Sequence, residues 1–389
     1  MSDEISPSPE PVETLSDRVR KFVDQQVIPA EPQLAAGNSD TWSGLRERAV
    51  AAGLWALPLP AEHGGGGLDT AGYFAVAEQE GRSDFGPDAL GSSALPTVRM
   101  LDRHGHPELC AELVPALVSG TARAAYAMTE PGVPGSDPSA LRTVATPDGD
   151  RWRITGRKWF TSGAARADYV LVVARTAEGP AREAFSIFVV PTSAPGFRVV
   201  RELDVLGAGG QYELTFDDVV VSSTQLVGAV GSGLRLAGQR LALGRTLRAL
   251  RWVGQAQRAV ELLAERANRR RIGDGMLADR QLVQQMVFDS EVAVRSARLL
   301  TERAAQLVAA DEPAQVEVSI AKVAAARALG TAVDAAIQVH GAEGLTEASG
   351  LPGLLRVARS ARILDGPDEF HVTATARRLL RGYATTPTG

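Results

Sequence analysis

The chain has 389 residues, 44% of them hydrophobic, so it is long enough for two or three domains with buried cores. Its formal net charge of −5 comes from interspersed acidic and basic residues, which gives no indication of nucleic acid or an anionic membrane as a partner. The single cysteine, Cys110, excludes a disulfide framework and a cysteine-based metal site.

The first thirteen residues are acidic and rich in proline and serine, without the basic and apolar regions of a signal peptide. We therefore expect residues 1–13 to form a disordered tail. No apolar run reaches the roughly 18 residues that a membrane span needs. The expected location is the cytoplasm, a reducing compartment.

Residues 14–120 are predicted to form a helical domain. Apolar residues recur at helical spacing, beginning with Leu15, Val19 and Phe22, and Gly120 has the position of a helix stop. The segment PAEHGGGGLD at 60–69 contains four consecutive glycines. Such a run is a weak indication of a phosphate-binding loop, and a flexible connector is the favoured interpretation.

The hydrophobic period changes after this domain, and residues 121–230 are predicted to form a β-domain. Short runs rich in β-branched and aromatic residues follow one another, and PDGD at 147–150 marks a hairpin turn between two of them. No helical run of ten or more residues separates these strands. That favours an antiparallel barrel or sandwich over a parallel doubly wound sheet.

The helical period returns near Gly231, and residues 231–389 are predicted to form a helical bundle. Three long segments rich in alanine and leucine carry this period, and the third begins near Pro313, a residue favoured in the first helical turn. The predicted fold class is therefore α+β multidomain: an N-terminal helical domain, a middle antiparallel β-barrel or sandwich, and a C-terminal four-helix bundle.

Several common catalytic motifs do not occur in the sequence. It contains no G-x-S-x-G nucleophile elbow and no G-x-x-x-x-G-K-[ST] loop. GAVGSG at 228–233 resembles a dinucleotide fingerprint but has the wrong spacing and context. His104 and His106 lie in a predicted loop without a third ligand nearby, so no metal site is expected. A catalyst built on this chain needs a bound cofactor or a carboxylate.

Three segments carry the most specific information. They are YAMTEPGVPGSD at 126–137, GRKWFTSGAARADYVLVVART at 156–176 and LDGPDEFH at 364–371. In this order, and on this background of helices and strands, they resemble the acyl-CoA dehydrogenase family over nearly the whole chain. The resemblance is to a branch with an aspartate in place of the usual catalytic glutamate. It implies FAD-dependent α,β-dehydrogenation of an acyl-CoA thioester in fatty acid metabolism.

The resemblance implies that FAD lies between the β-domain and the bundle, held by the T-E-P and W-x-T segments. Hydrogen-bond donors stabilise the negative charge that develops on a flavin as it takes up a hydride. Taken singly, the threonines also suit ordinary strands and the tryptophan suits a core. The matching residues are Tyr126, Met128, Thr129, Trp159 and Thr161.

The family's bundle also supplies groups to the FAD of a neighbouring subunit, which implies a homodimer or homotetramer. QVHGAEG at 338–344 resembles the family's Q-x-x-G-x-x-G segment. The family's R-x-x-F-G-x-P-L stretch is degraded here to RRRIGDGML, so its arginine corresponds to Arg269 or Arg270 and its phenylalanine is missing. The candidate cofactor contacts from this region are Arg270, Gln281, Gln338, Gly341 and Glu369.

Asp365 is the candidate catalytic base, which would take the α-proton while the β-hydride passes to flavin N5. In most of the family the base is the glutamate of Y-E-G-T, matched here by Leu364-Asp365-Gly366-Pro367. The acid is shorter by one carbon–carbon bond, about 1.5 Å. The local sequence alone favours a helix cap, because Pro367 and the acids after it suit a helix start. The family context favours the base.

The resemblance also implies substrate contacts from Ser136, Arg245 and Gly366. The Ser136 loop is one residue longer than the family's P-G-x-G-S-D. Gly244 occupies the other position where some relatives carry the base, and Ala242 replaces an aspartate that in many relatives faces the pantetheine chain. For Arg245 the alternative is a solvated helix arginine.

Three other functions stay open at this point. They are dehydrogenation of a substrate on acyl-carrier protein, an oxidase or flavin monooxygenase on the same fold, and a non-catalytic paralogue. The shortened acid and the degraded arginine stretch motivate the last of these. For a dehydrogenase, an electron-transfer flavoprotein is the expected acceptor.

Overall fold

The structure is a computed structural model that describes residues 14–384. The predicted tail, residues 1–13, lies outside the described residues, as do residues 385–389. Helices, then strands, then helices follow one another along the chain, and this order confirms the predicted fold class.

The first region is helical. Its α-helices are α1 (Leu15–Phe22), α2 (Glu31–Ala35), α3 (Ser39–Ala51), α4 (Thr70–Glu80), α5 (Gly86–Ala89), α6 (Leu95–His104) and α7 (Pro107–Ser119). Thr14 and Asp17 form a capping box at the start of α1, and Asp69 accepts an amide hydrogen bond at the start of α4. Gly120 ends α7 at φ 72°, which confirms the predicted helix stop.

The glycine run at 64–67 is a connector with no free donors for a phosphate. The amides of Gly65, Gly66 and Gly67 donate to carbonyls within the segment 56–60 at 2.9–3.0 Å. Because these amides are already hydrogen-bonded, they cannot cradle an anion. The run is therefore a connector, as the favoured interpretation has it, and these hydrogen bonds order it.

The histidine pair is divided between two helices. His104 is the last residue of α6, and the ring of His106 accepts the Glu108 amide hydrogen bond that caps α7. The prediction that both lie in a loop was therefore wrong for His104.

The middle region forms one sheet of eight strands. They are β1 (Ala124–Ala127), β2 (Val144–Asp148), β3 (Arg151–Ser162), β4 (Tyr169–Arg175), β5 (Phe185–Pro191), β6 (Phe197–Val205), β7 (Ala208–Ser222) and β8 (Leu226–Val227). Their order is β6-β7-β3-β2-β4-β5-β8, with β1 also paired to β4. The β2–β3 hairpin turns at Gly149 and Asp150, which confirms the predicted turn.

The sheet is mixed rather than purely antiparallel. β1 runs parallel to β4 over four residue pairs, and β2 pairs with β4 in parallel at Val144 and Arg175. The other pairings are antiparallel. Since β1 arrives from the helical region and not from a hairpin, no turn obliges it to run antiparallel to its neighbour.

The last region is dominated by three long helices. Its elements are α9 (Gly233–Arg269), β9 (Arg271–Ile272), β10 (Gly275–Met276), α10 (Gln281–Ala309), α11 (Gln315–His340), α12 (Leu351–Ala361) and α13 (Asp368–Ala384). The short helix α8 (Ala181–Ala184) belongs to the middle region, between β4 and β5. Helices α9, α10 and α11 pack on one another, and α12 and α13 pack on α11. Helix α11 begins at Gln315, so Pro313 precedes the helix rather than occupying its first turn.

The helical region at the start of the chain packs closely on α9. A Cβ added at Gly254 would lie 2.1 Å from the Glu78 carbonyl oxygen of α4, so only glycine allows this approach. Buried Arg258 donates to Glu31 at 2.7 and 3.0 Å across the same contact. These contacts fix α9 against both its own bundle and the first region.

Among the helices of residues 14–384, none has the length and hydropathy of a membrane span.

Candidate active site

Two of the specific segments are joined by a reciprocal pair of hydrogen bonds. The Trp159 amide donates to the Thr129 carbonyl at 3.0 Å, and the Thr129 hydroxyl donates to the Trp159 carbonyl at 2.7 Å. The T-E-P segment after β1 is therefore held against the W-x-T segment of β3. Since the hydroxyl proton of Thr129 is already used, a ligand can meet this residue only through its backbone or its oxygen lone pairs.

A buried ion pair stabilises this junction between the two segments. Lys158 is 0% exposed, and its ammonium donates to Glu130 at 2.8 Å and to the Met128 carbonyl at 2.9 Å. Glu130 also accepts the amides of Arg142 and Thr143 at 2.7 and 2.9 Å. Burial lowers the pKa of Lys158 to about 8, even though Glu130 opposes the shift.

The backbone leaves regular strand geometry at the tryptophan. The β3–β7 register shifts between Lys158 and Thr161, and Phe160 has φ 49°, a left-handed conformation that costs phenylalanine energy. After this bulge the Thr161 side chain is fully buried, and its hydroxyl has no hydrogen-bond partner among the described residues. The Thr161 hydroxyl is therefore free to form a hydrogen bond with a bound group.

The strand β1 reaches α9 through one aromatic contact. The Arg240 guanidinium lies 4.6 Å from the centre of the Tyr126 ring. Burial raises the pKa of Tyr126 to about 12, so its hydroxyl stays protonated at neutral pH. This contact places the first residue of the YAMTEP segment against the second turn of α9.

Asp365 lies in a strained turn between α12 and α13. It has φ 57°, and Gly366 follows with φ 99°. The Asp365 carbonyl accepts from Arg245 Nε at 2.9 Å and from His371 Nε2 at 3.1 Å. Because a carbonyl oxygen only accepts hydrogen bonds, His371 is assigned the tautomer with its proton on Nε2. An aspartate held at positive φ by two donors is a constrained residue, typical of functional turns.

The Asp365 carboxylate does not act as a cap. It forms an ion pair with Arg248 Nε at 3.1 Å and is 25% exposed, and no amide at the start of α13 donates to it among the described residues. The start of α13 is anchored by buried Asp368, which pairs with Lys322 at 3.0 Å and with Arg362 at 3.1 Å. The side chain is left to face Arg248 and the adjoining solvent.

A cleft of about 970 Å³ is connected to this turn through Arg245, although Asp365 itself is not one of its lining residues. It lies between α6, the first turns of α9, the junction of α10 with α11, and α13. Ala242 and Arg245 line it, and Arg245 is half-buried with its Nε bonded to the Asp365 carbonyl. The alternative of a solvated helix arginine does not describe Arg245.

The remaining predicted cofactor contacts and Ser136 are exposed. Ser136 is exposed on its loop, and Glu369 is exposed on the first turn of α13. Four others are exposed at the opposite end of the bundle: Arg270, Gln281, Gln338 and Gly341. Since α9 rises about 1.5 Å per residue, Arg240 and Arg270 are about 45 Å apart along it. One chain cannot bring both sets to the same ligand.

Sequence reasoning missed the charged residues that support the site. Arg248 lies one turn after Arg245, so their three-residue spacing places both on one face of α9. Glu130 and Lys158 are embedded in the two quoted motifs, at positions next to the predicted contacts. Arg240 gave no signal, because nothing in a helical period distinguishes an arginine beside a sheet from a solvated one.

Comparison with known proteins agrees with this architecture. Three family models match: the acyl-CoA dehydrogenase N-terminal domain at 9–121, the middle domain at 125–219 and the C-terminal domain at 231–380. The solved glutaryl-coenzyme A dehydrogenase in complex with glutaryl-CoA superposes with a TM-score of 0.87 at 27% identity, covering 98% of this chain and 97% of that one.

Two curated relatives are similar along most of the chain. The Probable acyl-CoA dehydrogenase FadE2 of Mycobacterium tuberculosis is 35% identical, over 92% of this chain and 93% of its own length. Acyl-CoA dehydrogenase family member 11 of Mus musculus is 33% identical over 94% of this chain, which spans about half the length of that relative. On these matches, the chain belongs to the acyl-CoA dehydrogenase family.

Proposed function

We propose that this chain is an FAD-dependent dehydrogenase that introduces an α,β double bond into an acyl-CoA thioester, with Asp365 as the base. One observation carries the proposal: the acidic turn and the flavin-type segments converge on the same stretch of α9. Arg245 binds the Asp365 turn, while Arg240 contacts the Tyr126 ring of the YAMTEP segment. Both arginines also line the cleft beside this stretch of α9, which has the volume to admit a substrate.

The residues present fit a flavin at this place. The buried Thr161 hydroxyl lacks a partner, and a flavin ring nitrogen or oxygen would supply one. Met128, Trp159 and the Thr129 backbone border the same junction. When bound, FAD accepts the hydride that leaves the β-carbon of the thioester.

The part of this chain in the reaction is to hold and move the proton. Asp365 takes the proton from the α-carbon, and the paired donors on its carbonyl hold the turn in one orientation. Arg248 orients the carboxylate at 3.1 Å. The backbone conformation of the turn, with φ 57°, sets the direction of this shorter acid.

A second subunit completes the cofactor site. The four candidate contacts lie at the far end of the bundle, where Arg270 is about 45 Å from Arg240 along α9, so they serve a neighbouring chain's FAD. Helix α10 supports this, because Phe288, Val292 and Leu299 are exposed on one face of it. Apolar side chains exposed along one helix face favour an interface. We therefore propose a homo-oligomer, with an electron-transfer flavoprotein as acceptor.

The test is purification followed by anaerobic titration with acyl-CoA thioesters. The protein is expected to bind FAD in equal proportion to chains, and a suitable acyl-CoA is expected to bleach its absorbance near 450 nm. Absence of FAD affinity would end the proposal and favour a non-catalytic paralogue. Fast reoxidation of the reduced protein by O₂ would favour an oxidase, and reduction by acyl-carrier-protein thioesters alone would move the substrate to that carrier.

Replacing Thr161 with valine is expected to weaken FAD binding by about five- to tenfold, since a hydrogen bond to the cofactor is lost. The FAD-free protein should keep its melting temperature or gain slightly, because the removed hydroxyl has no partner there. Fluorescence titration of FAD and thermal denaturation measure the two effects.

Thr215 on β7 provides the matched control, because its hydroxyl is also buried without a partner and its residue is not a predicted flavin contact. Thr215→Val should leave the FAD affinity unchanged. A loss of stability in FAD-free Thr161→Val as large as its loss of affinity would show that the hydroxyl is structural.

A further inference from the structure

The cleft lined by Arg240 and Arg245 carries an excess of positive charge. Eight arginines line it, against two acids, Asp311 and Glu312. Arg99 and Arg103 both pair with Asp311, at 3.0 and 3.2 Å. Three more arginines of the lining, Arg235, Arg240 and Arg377, form no ion pair with an acid among the described residues. An anionic ligand would be a natural counterion for these three guanidinium groups.

The base of the same cleft is apolar. Leu236, Leu243, Val318 and Met100 line it and are buried. An apolar base surrounded by arginines suits a ligand that combines a hydrocarbon chain with a negative charge.

Arg240 is the arginine whose surroundings point most directly to a bound group. Its Nη1 is buried and has no hydrogen-bond partner among the described residues. Burial lowers the pKa of Arg240, so the charged form is held there at a cost that a bound anion would offset. The guanidinium is planar and binds carboxylates and phosphates through two parallel hydrogen bonds.

The position of Arg240 decides between two possible anions, the phosphates of CoA and an anionic group on the acyl chain. Its guanidinium lies 4.6 Å from the centre of the Tyr126 ring and interacts electrostatically with Asp365. On the proposed function, Arg240 is therefore close to where the reacting carbons would lie. The pantetheine arm of CoA holds the CoA phosphates away from the thioester. An anion beside Arg240 therefore belongs to the acyl group.

We propose that this cleft selects acyl thioesters whose acyl chain carries its own carboxylate or phosphate, and that Arg240 binds that group. The inference rests on the proposed function, since it names the substrate class of the same site. Arg235 and Arg377 then supply a positive field along the acyl chain rather than the specific contact.

The test uses non-reactive analogues, in which sulfur replaces the β-carbon and prevents dehydrogenation. Three acyl-CoA analogues of equal chain length end in a methyl, a carboxylate or a phosphate, and calorimetry on the FAD-loaded protein measures their affinity. At least one of the two anionic analogues is expected to bind about tenfold or more tightly than the methyl analogue. The stronger of the two identifies the anion.

Arg240→Met is expected to reduce the affinity for the anionic analogues to that for the methyl analogue. Arg240→Lys keeps the charge but loses the two-pronged geometry, so it should retain only part of the preference. Arg359 on α12 is exposed and lies outside the cleft, and Arg359→Met should keep the full preference. If Arg240→Met does not load FAD, the lysine variant carries the test.

Equal affinity of the wild-type protein for all three analogues would overturn the inference. So would an equal loss of affinity for all three and for free CoA in the Arg240 variants, since this would assign the arginine to the CoA phosphates. Failure of the proposed function is a separate result, seen when no reactive acyl-CoA bleaches the flavin of the loaded protein. The binding preference of non-reactive analogues does not depend on that outcome.

Discussion

Asp365→Asn is expected to lower the rate of flavin reduction by a saturating acyl thioester by about 10²–10⁴-fold, the usual contribution of a positioned general base. Asparagine is nearly isosteric but cannot accept the α-proton. The Asp365 carbonyl, which accepts from Arg245 and His371, is unchanged by the substitution, so the turn should keep its shape. Anaerobic stopped-flow at 450 nm measures the rate, and the absorbance spectrum before mixing measures bound FAD.

The control for this variant is Glu347→Gln, which also removes one carboxylate from an arginine pair, at the surface and away from the cleft. It should leave the rate within about twofold. Asp365→Glu restores the acid of the larger family and should recover more activity than asparagine. A rate for Asp365→Asn within tenfold of wild type, with FAD bound, would contradict the role of this residue as base.

Lys158→Met is expected to destabilise the protein by about 3–5 kcal/mol, the usual effect of breaking a buried ion pair. Glu130, 4% exposed, would keep two amide donors but lose the ammonium that neutralises it. The Met128 carbonyl would lose its donor as well. Since both groups belong to the segment that meets β3, FAD affinity should fall together with stability. Urea denaturation and FAD titration measure the two quantities.

The matched control is Arg153→Met, which breaks the half-exposed Arg153–Asp148 pair on the β2–β3 hairpin. Exposed pairs contribute about 0–1 kcal/mol, so its effect should be small. Adding Glu130→Gln to Lys158→Met should recover part of the lost stability, because the unpaired buried charge is removed. A change below about 1 kcal/mol for Lys158→Met would show that the pair does not hold the junction.

The quoted motifs predicted which segments form the site, but not what supports them. Trp159 and Thr129 were singled out, and the structure joins them by two hydrogen bonds. The Lys158–Glu130 pair between their segments was missed, because a lysine next to a glutamate-containing motif looks the same whether it is solvated or buried. Burial is decided by which strands pair, and that information is not local.

Strand direction was another matter that local patterns left open. Alternating residues predicted strands in the middle region, and the hairpin at Gly149 was identified correctly. The parallel pairing of β1 with β4 depends on where the helical region delivers the chain, so the sheet is mixed. That pairing is what positions Tyr126 beside α9.

By itself the sequence determined the order of helical and strand-rich regions, the helix stop at Gly120, the family and the acidic turn at Asp365. These depend on local periodicity, turn chemistry and motif spacing, all of which are written in neighbouring residues. Only the tertiary structure decided that Arg248 pairs with the turn acid, that Arg240 lies unpaired beside Tyr126, and that the candidate cofactor residues fall into two distant groups. Each of these depends on contacts between residues far apart in the chain, which arise when α9 packs against the sheet and α13.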